Sequence, residues 1–155
     1  MLTLLEIKCI DSDQAPLDLL LLADPSRESI ASYLHNSVVF LVTIESMPVA
    51  VSAVVIKGKV AEIKNIAVAT EHQHHGIGKK LIEHIKLFAR KSQLDIIKVG
   101  TGNSSLQQLS FYQKSGFRIK GVITDYFEHY RPEIYENGIR CIDMILLEQE
   151  LMTND

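Results

Sequence analysis

The hydrophobic pattern of the chain changes its period near residue 77, and this change constrains the fold more than any other feature. Residues Val60–Val68 are rich in β-branched side chains and predict a strand. Apolar residues then recur at helical spacing, namely Ile77, Leu81, Ile82, Ile85, Phe88 and Ala89. Residues 95–100 return to a short apolar strand. The order strand, helix, strand predicts a right-handed βαβ unit, and therefore two parallel strands.

The long helix of this unit is predicted to be amphipathic. Its charged side chains fall outside the apolar arc, namely Lys79, Lys80, Glu83, Lys86 and Arg90. We therefore expect the apolar arc to pack against the protein while these five residues lie away from it.

The remaining elements follow from local composition and periodicity. Further strands are predicted over residues 2–10, Val38–Ile44, 48–56, 117–122, 123–130 and 139–147, and further helices over residues 17–22, 24–35 and 105–115. Asp24 is predicted to cap the second helix, with Pro25 in its first position. Asn137 and Gly138 predict the turn of a terminal hairpin because this pair tolerates positive φ, and Pro132 predicts an irregular tip.

Length and composition predict a single domain over residues 1–155. The chain has 155 residues, of which 46% are hydrophobic, enough for one core and too few for two ordinary domains. Its formal net charge of -3 provides no basic field that would attract nucleic acid or an anionic membrane. The N-terminus lacks a secretory pattern, and Cys9 and Cys141 are expected to be reduced thiols buried in strands. We therefore expect a cytoplasmic protein without nucleic-acid or membrane partners.

A glycine-bearing loop over residues 73–79 joins the strand at Val60–Val68 to the long helix. The first turn of a helix leaves backbone N–H groups without partners, its dipole is positive there, and glycine lets an anion approach closely. The loop is therefore predicted to bind phosphate. It is neither a P-loop nor a dinucleotide fingerprint, because Gln73 and Lys80 replace the Gly and Ser/Thr of the first and Leu81 replaces a small residue of the second.

The loop resembles the Gln/Arg-x-x-Gly-x-Gly/Ala pattern of the GNAT superfamily of N-acetyltransferases, with Gln73, Gly76 and Gly78 at the defining positions. The preceding residues 61–68 are similar to the family's fourth strand. Asn103 and residues 109–117, which contain a Tyr-x-x-x-Gly-Phe sequence, are similar to its second conserved region. The resemblance runs from about residue 60 to residue 120 and is carried by several motifs in the expected order.

This resemblance implies an α/β fold with a mixed sheet of six or seven mostly antiparallel strands, a central parallel pair and about four flanking helices. It also implies acetyl-CoA as cofactor, with the pantetheine arm lying where the fourth and fifth strands splay apart. By carry-over from the family, the residues that would contact acetyl-CoA are Ile66, Ala67 and Val68 through their backbones, Asn103, and the pyrophosphate loop of Gln73, His74, His75, Gly76, Ile77, Gly78 and Lys79.

Two residues become candidate catalytic groups through the same resemblance. Tyr112 lies on the apolar arc of its helix and is typical of a core aromatic, but its family position makes it the candidate general acid for the departing thiolate. Glu62 alternates with Lys64 and Ile66 on one face of its predicted strand and would otherwise be a solvated carboxylate. An amine with a pKa near ~10.4 must lose a proton before it attacks, so the base is either Glu62 or an ordered water.

The predicted function is transfer of an acetyl group from acetyl-CoA to a primary amine of a small molecule or peptide by direct attack. The alternative is a non-catalytic acyl-CoA sensor or interaction module. Residues 125–136 mix aromatic and acidic side chains, and are either a solvated strand end or part of an acceptor site that favours cationic amines. His72, His74 and His75 lack the spacing of a zinc site, so no metal is expected. The resemblance leaves a homodimer open.

Overall fold

The computed structural model describes residues 4–151. Its strands are β1 (Leu5–Ile10), β2 (Val38–Ile44), β3 (Met47–Lys57), β4 (Val60–Val68), β5 (Ile96–Gly102), β6 (Arg118–Ile123), β7 (Tyr135–Glu136), β8 (Ile139–Arg140) and β9 (Met144–Glu150). Its α-helices are α1 (Leu17–Ala23), α2 (Arg27–Leu34), α3 (Ile77–Lys91) and α4 (Leu106–Lys114). Residues 2 and 3 of the first predicted strand lie outside the described residues.

Seven of these strands form one mixed sheet in the order β1-β2-β3-β4-β5-β9-β6. The neighbours β4 and β5 are parallel, and every other neighbouring pair in this sheet is antiparallel. The parallel pair is joined through α3, as the βαβ pattern predicts. The predicted α/β fold with a central parallel pair is therefore confirmed.

Helices cover both faces of the sheet. On one face α3 and α4 pack over the strands, and Leu81, Ile82 and Ile85 of α3 are fully buried there. On the other face α1 and α2 cover β2, β3 and β4, with Leu20 and Ile30 in the centre of that layer. We refer to these as the α3 face and the α1–α2 face. The apolar arc predicted for α3 is the side of the helix that packs against the sheet.

The two parallel strands separate along their length. β5 pairs with β4 only over Val60–Ile63, where the register joins Val60 to Ile96 and Ile63 to Val99. Beyond Ile63, β4 continues to Val68 without β5 beside it. The sheet therefore opens at its centre, and one backbone edge of β4 faces that opening, as the family resemblance implies.

A β-bulge in β4 reverses its side-chain alternation just at this opening. The register shifts between Ala53 and Val54 of β3, so that Lys64 is the extra residue. Glu62 pairs with Val55, which belongs to the α1–α2 face, whereas Ile66 packs with the α3 face. The expectation that Glu62 and Ile66 share one face is therefore wrong, because a bulge shifts every later side chain to the opposite face.

The segment between β6 and β9 differs most from its predicted form. Residues 124–129 form turns and residues 130–134 are irregular, so no strand follows β6 here, and Asp125 has a φ of 62°. The Phe127 N–H donates to the carbonyl of Ile142 at 2.7 Å, so this segment folds back on the chain instead of extending. The predicted turn at Asn137 and Gly138 is confirmed, because both have positive φ and connect β7 to β8.

Other predictions fail at single residues. Ser26, not Asp24, caps α2, since the Ser26 side chain accepts from the Ser29 N–H at 3.0 Å. Lys86 is buried rather than outside the packed face, because its ammonium reaches the Ser115 carbonyl at the end of α4. Cys9 is exposed on β1, and Cys141 is buried between β8 and β9 rather than in a strand.

Candidate functional site

The N-terminus of α3 presents backbone N–H groups that donate to no partner among residues 4–151. Gly76 is the N-cap in the left-handed region with a φ of 82°, and it offers no side chain to cap the helix. The first helical hydrogen bond runs from Lys80 N–H to the Gly76 carbonyl at 3.1 Å. Within residues 4–151, the N–H groups of Ile77, Gly78 and Lys79 therefore remain without partners. Such a terminus is suited to bind an anion.

The charges around this terminus also favour an anion. The first turn of α3 contains no acidic residue, and Lys79 and Lys80 are both exposed there. Two lysines at the positive end of a helix dipole are unfavourable unless a negative group is present. His74, which precedes Gly76 by two residues, has a φ of 66°, and so the loop turns sharply before the helix. His75 is exposed in the same loop.

Gln73 ties this loop to the open edge of β4. Its Nε2 donates to the Val68 carbonyl at 3.0 Å. Gly78, on the first turn of α3, lies close to the side chains of Val68 and Phe111. The loop, the end of β4 and α4 therefore meet at one place.

The backbone groups of β4 alternate in their direction beside the opening. The Ala69 N–H donates to the Val49 carbonyl of β3 at 2.8 Å. Because hydrogen-bonded and non-hydrogen-bonded positions alternate in an antiparallel pair, Ala67 also directs its backbone groups to β3. Ile66 and Val68 direct theirs toward the opening. Of the three residues in the sequence prediction, Ile66 and Val68 are thus placed to pair with an extended ligand.

Tyr112 lies on α4 in the core of the α3 face and is 5% exposed. Its ring packs edge-on against Phe117 with centroids 5.8 Å apart, and at a tilt against Phe111 with centroids 5.4 Å apart. Within the described part of the chain, its hydroxyl makes no hydrogen bond. Burial raises the pKa of Tyr112 well above its ordinary value, so the phenol keeps its proton.

The Tyr-x-x-x-Gly-Phe motif closes the C-terminus of α4. The Phe117 N–H donates to the Tyr112 carbonyl at 3.0 Å, and the Gly116 N–H donates to the Gln113 carbonyl at 3.1 Å. Gly116 has a φ of 101°, and so the helix ends in a Schellman motif. The motif therefore fixes the backbone and the ring of Tyr112 at once.

Glu62 lies on the α1–α2 face, just before the opening between β4 and β5. Its carboxylate is 3.3 Å from the Lys64 ammonium, and its side chain is 23% exposed. Tyr112 belongs to the α3 face. The two candidate catalytic groups therefore lie on opposite faces of the sheet.

Asn103 has a structural role that the sequence did not indicate. Its Oδ1 accepts from the N–H groups of Ile142 and Asp143 at 2.8 and 2.9 Å, and its Nδ2 donates to the Arg140 carbonyl at 3.1 Å. These bonds hold the segment before β9 against the end of β5. One amide proton of Asn103 remains for a ligand such as the pantetheine arm.

The three glutamates of the 125–136 segment are engaged with neighbouring groups. Glu128 lies 3.9 Å from Arg131 and 4.0 Å from Arg140, and Glu133 lies 3.6 Å from Arg140. Glu136 accepts from the hydroxyls of two serines at the start of α4 at 3.0 and 2.8 Å. These carboxylates are therefore a poor basis for the predicted attraction of cationic amines.

Sequence reasoning missed a polar network on the α1–α2 face. Asp24 Oδ2 accepts from the Ser29 hydroxyl at 2.7 Å and from the Tyr33 hydroxyl at 3.0 Å. Asn65, which lies on β4 beyond the bulge, donates from Nδ2 to the Tyr33 hydroxyl at 3.0 Å and to the Leu20 carbonyl at 2.9 Å. Asn65 is 3% exposed, and its Oδ1 has no partner among residues 4–151. The sequence signal for this network is Asn65 itself, because a buried asparagine in a strand needs hydrogen-bond partners.

An open-sided cavity of about 400 Å³ adjoins this network. It lies between α2 and the turn segment after β6, and its lining residues are Ser26, Glu28, Ser29, Ser32, His129 and Tyr130. Its lining groups are three serine hydroxyls, one carboxylate, one imidazole and one phenol. The family resemblance implies that the first two helices and the last hairpin set the acceptor, and the cavity adjoins the second of these helices and residues 129–130.

No three His, Cys, Asp or Glu side chains within residues 4–151 are placed to share a metal ion. Over the same residues, no helix combines the length and the apolar character needed to cross a bilayer.

Comparison with known proteins identifies related chains. The family model described as acetyltransferase (GNAT) domain matches residues 35–119. An uncharacterised N-acetyltransferase of Bacillus subtilis strain 168, YvbK, is 42% identical over 136 residues, which cover 86% of this chain and 88% of that protein.

Solved structures agree with this match along nearly the whole chain. An IAA acetyltransferase from Bacillus cereus is 44% identical, with a TM-score of 0.90, covering 94% of this chain and 99% of that one. A GNAT family acetyltransferase from Elizabethkingia anophelis with acetyl-CoA bound is 40% identical, with a TM-score of 0.89. The match covers 94% of this chain and 97% of that one. A Bacillus subtilis acetyltransferase in complex with CoA is 38% identical, with a TM-score of 0.89. The match covers 96% of this chain and 99% of that one.

Proposed function

The chain belongs to the GNAT acetyltransferase family, and from this premise we propose that it transfers an acetyl group to a primary amine of a small molecule or peptide by direct attack. The acetyl-CoA-dependent activity itself follows from the family and from relatives with acetyl-CoA or CoA bound. We further propose that residues 1–155 act as a single domain. The acceptor amine and the residue roles are the parts that need experiments.

The single observation that carries this proposal is the set of unpartnered N–H groups at the start of α3, beside the free edge of β4. The N–H groups of Ile77, Gly78 and Lys79 suit a diphosphate, which needs several donors and positive charge. The backbone groups of Ile66 and the N–H of Val68 suit the amides of a pantetheine arm, whereas the Val68 carbonyl already accepts from Gln73. The residues present therefore fit coenzyme A.

When bound, acetyl-CoA supplies a thioester whose carbonyl an amine can attack and whose thiol can depart. Glu62, or a water beside it, takes the proton that the amine must lose. Tyr112 holds a proton on its hydroxyl for the leaving sulfur, and its raised pKa keeps that proton in place across the physiological range. Because the two groups lie on opposite faces of the sheet, the amine and the leaving thiol occupy different sides of the opening between β4 and β5.

Thiol release from acetyl-CoA tests this function. We expect release that depends on both the protein and an added primary amine, and thermal stabilisation of the protein by acetyl-CoA alone. Stabilisation without thiol release for any amine in a broad panel would instead support a non-catalytic acyl-CoA sensor. Absence of both signals would contradict the proposal.

A further inference from the structure

We propose that Lys86 is a positioning residue for Tyr112, and that it fixes the helix carrying this tyrosine to the helix that begins at the diphosphate loop. This inference rests on the proposed function, because it concerns how the general acid of that reaction is held in place. Lys86 lies in the third turn of α3 and is 4% exposed. Its effect on the reaction is therefore exerted through Tyr112.

A buried lysine at this point of α3 is unusual for its surroundings. Ile82, Ile85 and Ala89 are three or four residues away from it along the apolar arc, and all three are fully buried. Burial of an ammonium costs free energy that an apolar side chain would avoid. Among residues 4–151, the carboxylate within ion-pair distance of Lys86 is that of Glu83, at 3.2 Å, and its side chain is 53% exposed. A lysine here therefore indicates a specific contact rather than packing alone.

That contact is with the C-terminus of α4. The Lys86 Nζ donates to the carbonyl of Ser115, the residue that ends α4. Carbonyls at the end of a helix lack helical partners and carry the negative end of its dipole, so an ammonium is favourable there. The Ser115 N–H donates in turn to the Tyr112 carbonyl at 3.1 Å. The ammonium therefore holds the turn of α4 on which Tyr112 lies.

The Phe117 ring provides a second connection between Lys86 and Tyr112. The Lys86 Nζ lies 5.8 Å from the centroid of this ring, within the range of cation–π attraction. The same ring packs edge-on against Tyr112, with centroids 5.8 Å apart, and the Phe117 N–H donates to the Tyr112 carbonyl at 3.0 Å. Lys86 thus contacts both the backbone turn and the ring that hold the tyrosine.

Helix α3 contacts α4 on both sides of Tyr112. In its first turn, Gly78 lies against the ring of Phe111, the residue before the tyrosine. Lys86 bonds to Ser115, three residues after it. The two contact points on α3 are about 12 Å apart along the helix. Because the start of α3 is proposed to hold the diphosphate, these two contacts set the position of Tyr112 relative to the coenzyme.

The position of a proton donor matters strongly for its effect on rate. A general acid must lie within about 3 Å of the atom that it protonates. A displacement of about 1 Å can cost up to about 100-fold in rate. Loss of the Lys86 contact should therefore slow departure of the thiol, while the backbone groups of α3 and β4 that bind the coenzyme remain in place.

Lys86→Met removes the ammonium and keeps the length of the side chain. Thiol release from acetyl-CoA is measured with the primary amine of the panel that wild type acetylates fastest, at a temperature at which every variant is folded. We expect kcat to fall about tenfold, while the KM for acetyl-CoA and the Kd for CoA stay within twofold. A general loosening of the structure would raise KM and Kd as well.

The Tyr112→Phe background shows whether Lys86 acts through the tyrosine. If it does, adding Lys86→Met to Tyr112→Phe should lower kcat by less than a further twofold, because no hydroxyl remains to be misplaced. Independent effects would multiply instead. A tenfold loss in both backgrounds would therefore overturn the inference.

Two other variants complete the test. Lys114→Met removes the same charge from an exposed position in the last turn of α4, and it should leave kcat within twofold of wild type. Lys86→Gln keeps an N–H donor on a shorter side chain and serves if Lys86→Met does not fold. We expect it to lose less activity than Lys86→Met, and to lose none in the Tyr112→Phe background. Wild-type kcat in every folded Lys86 variant would contradict the inference.

The same measurements separate this inference from the proposed function. If Tyr112→Phe lowers kcat and Lys86→Met does not, the positioning role is wrong and the role of Tyr112 stands. If Tyr112→Phe keeps the wild-type kcat, both roles are wrong and the acetyl transfer stands. If wild type releases no thiol with any amine of the panel, the proposed function itself fails.

Discussion

Gly78 and Phe111 lie so close together that a Cβ added to Gly78 would come within 3.3 Å of Cζ of the Phe111 ring. The same Cβ would lie 3.8 Å from Cγ2 of Val68 at the end of β4. The first turn of α3 thus rests on both the strand that opens toward the ligand and the helix that carries Tyr112. A glycine is needed at residue 78 for this close approach rather than for its φ.

Gly78→Ala is therefore expected to weaken CoA binding. The new methyl group must displace the Phe111 ring by a few tenths of an ångström, and we expect Kd to rise about threefold to tenfold. Alanine favours a helix by up to about 1 kcal/mol over glycine, so the free energy of unfolding should not fall. Calorimetric titration and urea unfolding measure the two quantities.

Two further variants control this result. Gly121→Ala, on the edge strand β6, adds a methyl group at an ordinary contact distance of 3.9 Å from Leu146 of β9, and should leave Kd unchanged. Phe111→Leu in the Gly78→Ala background should recover part of the lost affinity. Unchanged CoA affinity in Gly78→Ala would show that this contact does not shape the site.

Tyr112→Phe should separate catalysis from binding. The ring contacts with Phe117 and Phe111 remain, and only the hydroxyl is lost. We expect kcat to fall about 100-fold, the lower range for loss of a general acid, while Kd for CoA stays within twofold. Steady-state kinetics with a primary amine that the protein acetylates, together with CoA calorimetry, give both values. A kcat close to wild type would assign Tyr112 to the core alone.

Glu62→Gln should distinguish the two candidate bases. If the carboxylate takes the proton, kcat at pH 7.5 should fall about 10-fold to 100-fold, and the deficit should shrink at pH 9.5 because more of the amine is already neutral. Lys64→Met, which removes the ion-pair partner 3.3 Å away, serves as the control and should retain most of the activity. A loss below threefold in Glu62→Gln at both pH values would favour an ordered water.

Stability should fall as the pH rises above about 10, the ordinary pKa of tyrosine. Burial raises the pKa of both Tyr33 and Tyr112, so the folded protein keeps two protons that the unfolded chain releases. Because the folded state then binds more protons, each tyrosine lowers the unfolding free energy by up to about 1.4 kcal/mol per pH unit. Urea unfolding from pH 9 to 11 should show a shallower decline for Tyr112→Phe. An identical decline in both proteins would contradict this account.

Lys86→Met should destabilise the protein. The buried ammonium donates to the Ser115 carbonyl and lies 3.2 Å from Glu83, with the Phe117 ring centroid 5.8 Å away. Loss of this donor leaves the carbonyl unsatisfied, and we expect a cost of about 1–3 kcal/mol in urea unfolding. Lys80→Met, at an exposed position on the same helix, should change stability by less than about 0.5 kcal/mol. Equal effects of the two changes would rule out the buried contact as the cause.

The elements predicted best from the sequence were those that local physics determines. The bounds Val38–Ile44 and Val60–Val68 follow from local runs that contain several β-branched side chains, and both agree with the structure. α3 begins at Ile77, where the apolar period changes. Such patterns depend on neighbouring residues alone, and so one sequence suffices to recognise them.

The elements predicted poorly depend on contacts between distant residues. The bulge at Lys64 and the turns and irregular backbone over residues 124–134 are fixed by pairing with β3 and by the bond from Phe127 to Ile142. Lys86 looked like a surface lysine because its partner at Ser115 is 29 residues away in the chain. No periodic signal marks such pairings.

The candidate site also has one part that local sequence predicts and another part that depends on contacts between distant residues. The loop with Gly76 and Gly78 was recognisable, because glycine spacing and a helix start are local features. The polar network on the α1–α2 face was not, because Asp24, Tyr33 and Asn65 come together from distant parts of the chain. Asn103 was expected at the ligand, but its bonds to residues 140–143 could not be foreseen from its neighbours.

An NMR titration of the ¹⁵N-labelled protein tests the central claim most directly. If the free N–H groups at the start of α3 hold the diphosphate, CoA should shift the amide resonances of Ile77, Gly78 and Lys79 strongly. Pantetheine, which lacks the diphosphate, should leave them nearly unchanged while still shifting Ile66 and Val68. Tight CoA binding that leaves the α3 amides unmoved would contradict the account.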